Sequence, residues 1–175
     1  MININNKYSK INNDPKIYTH NHFINDEQCD HLINISKNKL NNLLVSEDSN
    51  DRTNMSCWIP HNYDDITKKI SNDISKILNI PIENAESFQI MYYDKEQKYK
   101  QQYDGWLFDK SEKSYRNMKF GGQRMISVLG YLNDVSSGGG TKFTKLNIEV
   151  KAEKGKLLIF SNVHNNSNKR HELSE

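Results

Sequence analysis

Apolar residues recur along this chain with two different periods, and the change of period divides it. In the first half the period is helical. The stretch "FINDEQCDHLINISKNKL", residues 23–40, opens with Asn25 or Asp26 as a cap and with early acids. It then places Cys29, Leu32, Ile33 and Leu40 at helical spacing. A second helix is the clearest element of all. Ile66, Ile70, Ile74, Ile77 and Leu78 make one apolar stripe, Asp64 and Asp65 stand near its start, and Asn79 with the Ile80–Pro81 step stops it. Between the two, "SEDSNDRTNMS" reads as a surface loop. Residues 1–15 are polar and predict a loose arm, which leaves 16–175 as the folded domain.

Further on the period becomes that of strands. "ESFQIMYYD" (86–94) alternates and is rich in aromatic residues. "RMISVLGYLND" (124–134) is apolar on both faces and predicts a central strand. "SSGGGTKF" (136–143) is a glycine-rich turn ahead of short strands near "NIEVK" and "KLLIF", and "EKG" between those two reads as hairpin punctuation. Helices first and strands afterwards predict an α+β domain, with the helices buttressing one face of a mainly antiparallel sheet or barrel. No internal repeat and no linker interrupts it.

Composition narrows the function more than the fold. A chain of 175 residues suits one domain, and its nine Tyr, six Phe and two Trp argue against wholesale disorder. The formal net charge is only +2, with Lys, Asp and Glu interspersed, so no basic stripe marks a nucleic-acid partner. No apolar run has the length of a membrane span, and "MININNKYSKINND" lacks the apolar core of a signal peptide. The expectation is an intracellular protein without a membrane partner. Cys29 and Cys57 form no paired zinc spacing and read as two reduced structural thiols.

One short stretch carries chemistry. "KYKQQYDGW", residues 98–106, has the layout of a metal-binding turn after an aromatic strand, yet Gln102 stands where a histidine would be looked for. Asp104 taken alone reads as an ordinary turn residue before Gly105.

The wider order of segments adds to this. "FINDEQCDHLI", "DRTNMSCWI", "FQIMYYDKEQKYKQQYD", "GGQRMISVLGYLNDVSSGGGTKF", "IEVKAEKGKLLIF" and "NKRHELSE" follow one another. Together they resemble the prolyl 4-hydroxylase branch of the Fe(II)- and 2-oxoglutarate-dependent dioxygenases, over roughly residues 18–175. The Asn, Lys and Ile bias resembles that of versions carried by giant DNA viruses, which implies the cytoplasm of an infected host cell. The fold implied is a double-stranded β-helix, a jelly-roll-like barrel with N-terminal helices packed on one face. Its last strand or strands would be missing here.

The implied chemistry is hydroxylation of peptidyl proline, with Fe(II) on two histidines and one carboxylate and with 2-oxoglutarate and ascorbate as further requirements. Proline-rich or collagen-like peptide would be the partner. On this resemblance Asp104 holds the carboxylate position and Gln102 the slot of the first His, where a neutral amide is a poor substitute for imidazole. His171, the only late histidine besides His164, falls a few residues short of the distal His. That ligand and the basic residue for 2-oxoglutarate would lie beyond Glu175. Tyr93 and Thr141 match positions facing the 2-oxoglutarate pocket, and Gly140 stands where the family signature has Glu. Tyr99 and Arg124 match positions near the substrate groove. Core packing or a surface salt bridge is the alternative for each of these four, and Trp106 reads as a packing residue.

Two functions stay open. One is a prolyl 4-hydroxylase-like dioxygenase with an impaired iron site. The other is a non-catalytic proline-rich-peptide binding module, or the partner subunit of an active paralogue. A barrel short of its last strand would also invite self-association through bare strand edges.

Overall fold

The structure, a computed structural model, describes residues 8–42, 55–95, 97, 101–119 and 121–175. Tyr99 lies outside the described residues. In chain order the elements are β1 (Ser9–Asn13), β2 (Lys16–His20), α1 (Asp26–Ser36), β3 (Asn41–Asn42) and β4 (Met55–Ile59). They continue with α2 (Asp65–Leu78), β5 (Phe88–Tyr92), α3 (Glu112–Met118), β6 (Ile126–Gly130), β7 (Thr141–Phe143), β8 (Ile148–Val150) and β9 (Leu157–Ser161). They fall into two units: Ile24–Gln101, and the described parts of Met1–Phe23 and Gln102–Glu175.

In the Ile24–Gln101 unit both predicted helices form, and each begins where its cap is written. The Asn25 side chain accepts from the Gln28 N–H at 2.8 Å, and the Gln28 side chain accepts in return from the Asn25 N–H at 3.0 Å. Asp64 and Thr67 make the same reciprocal pair at the start of α2. At the far end Asn79 takes the left-handed conformation, φ 52°, and its N–H turns back to the last carbonyls. His31 of α1 reaches the Asp64 carboxylate at 2.6 Å and so ties one helix to the cap of the other. Beside the helices, β3, β4 and β5 form an antiparallel sheet. Ser56, Cys57 and Ile59 of β4 are buried while Trp58 faces out. Cys29 and Cys57 are both buried free thiols, and burial pushes the Cys57 thiol up, against a smaller opposite pull from Lys39.

The other unit is mostly strand. Its four-stranded antiparallel sheet runs β1-β2-β9-β6, and β7 pairs with β8 in a separate two-stranded ribbon turned by the left-handed Asn147. The core joins the two: Ile17, Leu158 and Phe160 from the sheet meet Phe143 and Val150 from the ribbon. The rings of Phe143 and Phe160 pack edge to face with centroids 5.0 Å apart.

The architecture is α+β with antiparallel sheets, and no closed barrel is present among the described residues. Several local expectations are corrected. Residues 9–13, read as part of a loose arm, are the edge strand β1, whose bulge lies between Lys10 and Asn12. Main-chain pairing with β2 is enough to form such a strand, so it leaves no apolar period. The strand read as central, β6, is an edge strand of its sheet. The inner places belong to β2 and β9, and every residue of β9 is buried. "EKG" is a turn with Gly155 at φ 80°, but it leads from the ribbon into the main sheet instead of closing a hairpin. The hairpin is one strand earlier, β7 to β8. Helix α3, capped by Ser111, has no apolar stripe that would have announced it.

The cap at Asp64 yields a test. Burial pushes its carboxyl up, but the Thr67 N–H and hydroxyl and His31 outweigh burial and hold it below its ordinary value of 3.8. A carboxyl depressed in the folded state stabilises above its unfolded value, and that contribution disappears as the pH falls through the folded one. Asp64→Ala is therefore expected to cost about 1 kcal/mol at neutral pH. In urea melts, the gap between variant and parent should close as the pH drops below the ordinary carboxyl range.

Candidate functional site

The turn that holds Asp104 is wedged against the chain just past β9. Gly105 is buried there, and a Cβ added to it would lie 3.1 Å from the carbonyl oxygen of Asn162 and 3.2 Å from Cγ of Arg170. A side chain here would have to push these neighbours back by a few tenths of an ångström, so glycine lets the turn come this close without strain. Asp104, half-buried, is thereby set beside the sheet. Its Oδ2 accepts the hydroxyl hydrogen of Ser127 on β6, and its Oδ1 accepts from the exposed Gln102 amide at 3.3 Å.

Ser127 accepts in turn from the Asn162 amide at 2.9 Å. Asn162 is completely buried and serves as a junction. Its main-chain N–H donates to Met125, and its carbonyl accepts from the His171 N–H at 2.8 Å. Among the described residues its side-chain Oδ1 has no hydrogen-bond partner. Gln102, Asp104, Ser127, Asn162 and the main chain of His171 thus form one continuous polar chain. Ser127 and Asn162 escaped the reading of the sequence. Their signal is that each is a polar residue set in or directly after an apolar strand, where an unpaired polar group is costly.

Around this chain the neighbouring side chains are engaged as well. The Tyr103 hydroxyl donates to the Glu172 carbonyl at 3.0 Å and accepts from the Lys145 ammonium, while Arg170 lies over the ring at 3.9 Å. Trp106 is gripped by Gln123, whose amide bonds both its N–H, at 2.7 Å, and its carbonyl, at 2.8 Å. The Arg124 guanidinium stacks on the Trp106 ring at 4.4 Å. Thr141 accepts the Tyr131 hydroxyl at 2.7 Å, and burial pushes that phenol up, partly offset by Thr141. Tyr93 belongs to the Ile24–Gln101 unit, where it is partly exposed and donates to the Met91 sulfur at 3.6 Å.

Whether the residues in this turn suit a ferrous ion can be judged from their donors. Both carboxylate oxygens of Asp104 already accept protein hydrogens, and the neighbour two residues before it is an amide, not an imidazole. Among the described residues, one group of three converging His, Cys, Asp or Glu side chains occurs. It is His164, His171 and Glu172, and Asp104 is not in it. Two imidazoles and a carboxylate do not assemble around Asp104, so the donor set does not fit Fe(II) at this turn as it stands.

No model of a known protein family matches the chain. Individual relatives do match. A prolyl 4-hydroxylase of Acanthamoeba polyphaga mimivirus is 34% identical over 178 residues, covering 99% of this chain and 73% of its own length. Prolyl 4-hydroxylase 6 of Arabidopsis thaliana is 32% identical over 178 residues, or 87% of this chain and 60% of that protein. The chain therefore belongs to the prolyl 4-hydroxylase family. It spans little more than half the length of the plant relatives it matches. Among solved structures, the viral collagen prolyl hydroxylase of Paramecium bursaria Chlorella virus-1, in complex with 2-oxoglutarate, aligns with a TM-score of 0.69. That alignment has 22% identity and covers 90% of this chain and 84% of that one, a likeness of fold.

At Gly140, where the resemblance leads one to expect a glutamate, the structure leaves no room for a side chain. A Cβ there would lie 2.6 Å from the carbonyl oxygen of Val150, in the main chain of the neighbouring strand of the ribbon. The glutamate of the family signature could enter only if the ribbon opened. Gly140→Ala is expected to destabilise the protein by about 1–3 kcal/mol, the cost of forcing side chains into a packed site. Thermal unfolding of that variant beside Gly121→Ala would measure it, given that the added Cβ at 121 meets no atom within 4 Å and that Gly121 does not have a positive φ.

Proposed function

We propose that this chain carries the prolyl 4-hydroxylase scaffold with an impaired iron centre. In the family that scaffold serves Fe(II)- and 2-oxoglutarate-dependent hydroxylation of peptidyl proline, with ascorbate as a further requirement. Here the carboxylate position, Asp104, works as a structural link between its turn and β6. The single observation that carries the reading is the exposed Gln102 amide, hydrogen-bonded to Asp104 at 3.3 Å, in the place where the family's chemistry calls for an imidazole.

What the scaffold retains is a surface for proline-rich or collagen-like peptide, as a binding module or as the partner subunit of an active paralogue. The half-buried Trp106 with Arg124 stacked on it supports this reading, since prolyl rings favour flat aromatic and guanidinium faces. Among the described residues no helix is long and apolar enough to cross a membrane.

The test is turnover. The purified chain, supplied with Fe(II), 2-oxoglutarate, ascorbate and a (Pro-Pro-Gly) repeat peptide, is expected to release no succinate above the blank. It should still quench or shift Trp fluorescence on titration with that peptide. Gln102→His alone is expected to leave succinate release unchanged. Clear turnover by the parent chain refutes the impaired centre. Turnover restored by Gln102→His would make His171 or His164 an iron ligand and reduce the defect to one residue.

A further inference from the structure

The main sheet, β1-β2-β9-β6, ends in two very different edges. At one end β1 is polar, carries Lys10, is interrupted by a bulge between Lys10 and Asn12, and is mostly exposed. Charge and a bulge are the usual means by which an edge strand is kept from pairing with another chain. At the other end β6 has neither. It contains no charged residue, its register with β9 is unbroken, and it is apolar on both faces, as inner strands are.

The ladder to β9 shows which main-chain groups of β6 are used. The Met125 carbonyl accepts from the Asn162 N–H at 2.9 Å, and the Tyr131 N–H donates to the Lys156 carbonyl at 2.9 Å. Bonded pairs alternate along an antiparallel ladder, so between these two the bonded pairs are Ser127 with Phe160 and Leu129 with Leu158. The N–H and C=O groups of Ile126, Val128 and Gly130 therefore point away from β9. Among the described residues none of them has a hydrogen-bond partner, and the three residues are half-buried or exposed.

We propose that β6 of one copy pairs antiparallel with β6 of a second copy, about a two-fold axis at Val128. In that register the open edge is complementary to itself. Val128 stands opposite the partner's Val128, and Ile126 opposite the partner's Gly130. Each such pair exchanges two N–H···O bonds, so every outward group of both copies is satisfied. No like charges meet, because β6 carries none. A contact of β6 with the β1 edge of another copy would run head to tail without closing, and β1 is guarded against it, whereas the two-fold pairing closes at two copies. A proline-rich peptide is a poor occupant of this edge, since proline has no N–H to give to the ladder. Neither Asp104 nor Trp106 takes part in the pairing.

The test is sedimentation equilibrium of the full chain, with amide exchange followed at each concentration. A reversible monomer–dimer equilibrium is expected, and exchange at Ile126, Val128 and Gly130 should slow as the dimer fills. Val128→Pro removes one outward N–H from each copy and no bond to β9. It should raise the dimer dissociation constant about tenfold or more. Val128→Cys keeps the ladder and should cross-link two chains under mild oxidation, because the α-carbons of a bonded pair stand about 5.5 Å apart, within disulfide reach. Ile11→Cys on β1 should not cross-link, nor should the parent, whose two thiols are buried. If the proline variant does not fold, the cysteine variant and the exchange data decide. A chain still monomeric at about 1 mM overturns the proposal and leaves the edge to an extended segment of another protein. A dimer that Val128→Cys does not cross-link, or that a folded Val128→Pro leaves as tight as before, overturns it as well.

Discussion

Strand β9 is the constraint on which this unit depends. All five of its residues are buried, and an interior strand without access to water must find main-chain partners on both sides. It finds β2 on one side and β6 on the other. Pairing Ser127 with Phe160 fixes which residue of β6 stands level with the end of the strand, and so which hydroxyl Asp104 meets. Register here decides chemistry. A slip of one residue would turn Ser127 to the opposite face and leave the Asp104 carboxylate without its donor.

The residue that follows the strand passes this order on. Asn162 is buried with three of its four polar groups engaged, and those three reach the segment before β6, Ser127 and the segment of His171. Gly105 presses against the same residue. Asp104, the His164–His171 stack and the Tyr103–Lys145–Arg170 cluster are therefore all referred to one fixed point.

How much of this was legible in the sequence depended on the range of the interaction. Caps and stops act within four residues, so Asn25, Asp64 and Asn79 could be assigned from their neighbours alone. Strand order could not. β6 is apolar on both sides and still lies at an edge, because its place is set by a partner some thirty residues later. β1 is polar and forms all the same, since its pairing is made by main chain. At the site, Asp104 was singled out through the resemblance of a long run of segments. Ser127 and Asn162 were not, because each looks unremarkable until the sheet brings it to the turn. Gly140 was visible as a departure from the family signature, but its reason, the Val150 carbonyl, belongs to the ribbon.

The pairing of β2 with β9 has a consequence in time. Ile17 sits opposite Phe160, so the two inner strands of the main sheet are separated by about 140 residues of chain. Closing so large a loop has an entropic cost that must be met before the contacts it allows can form. On the ribosome β2 must wait, unpaired on that side, until β9 has been made. Assembly of this sheet is a late and slow event, and the capped helices, complete within their own short segments, are free to form long before it.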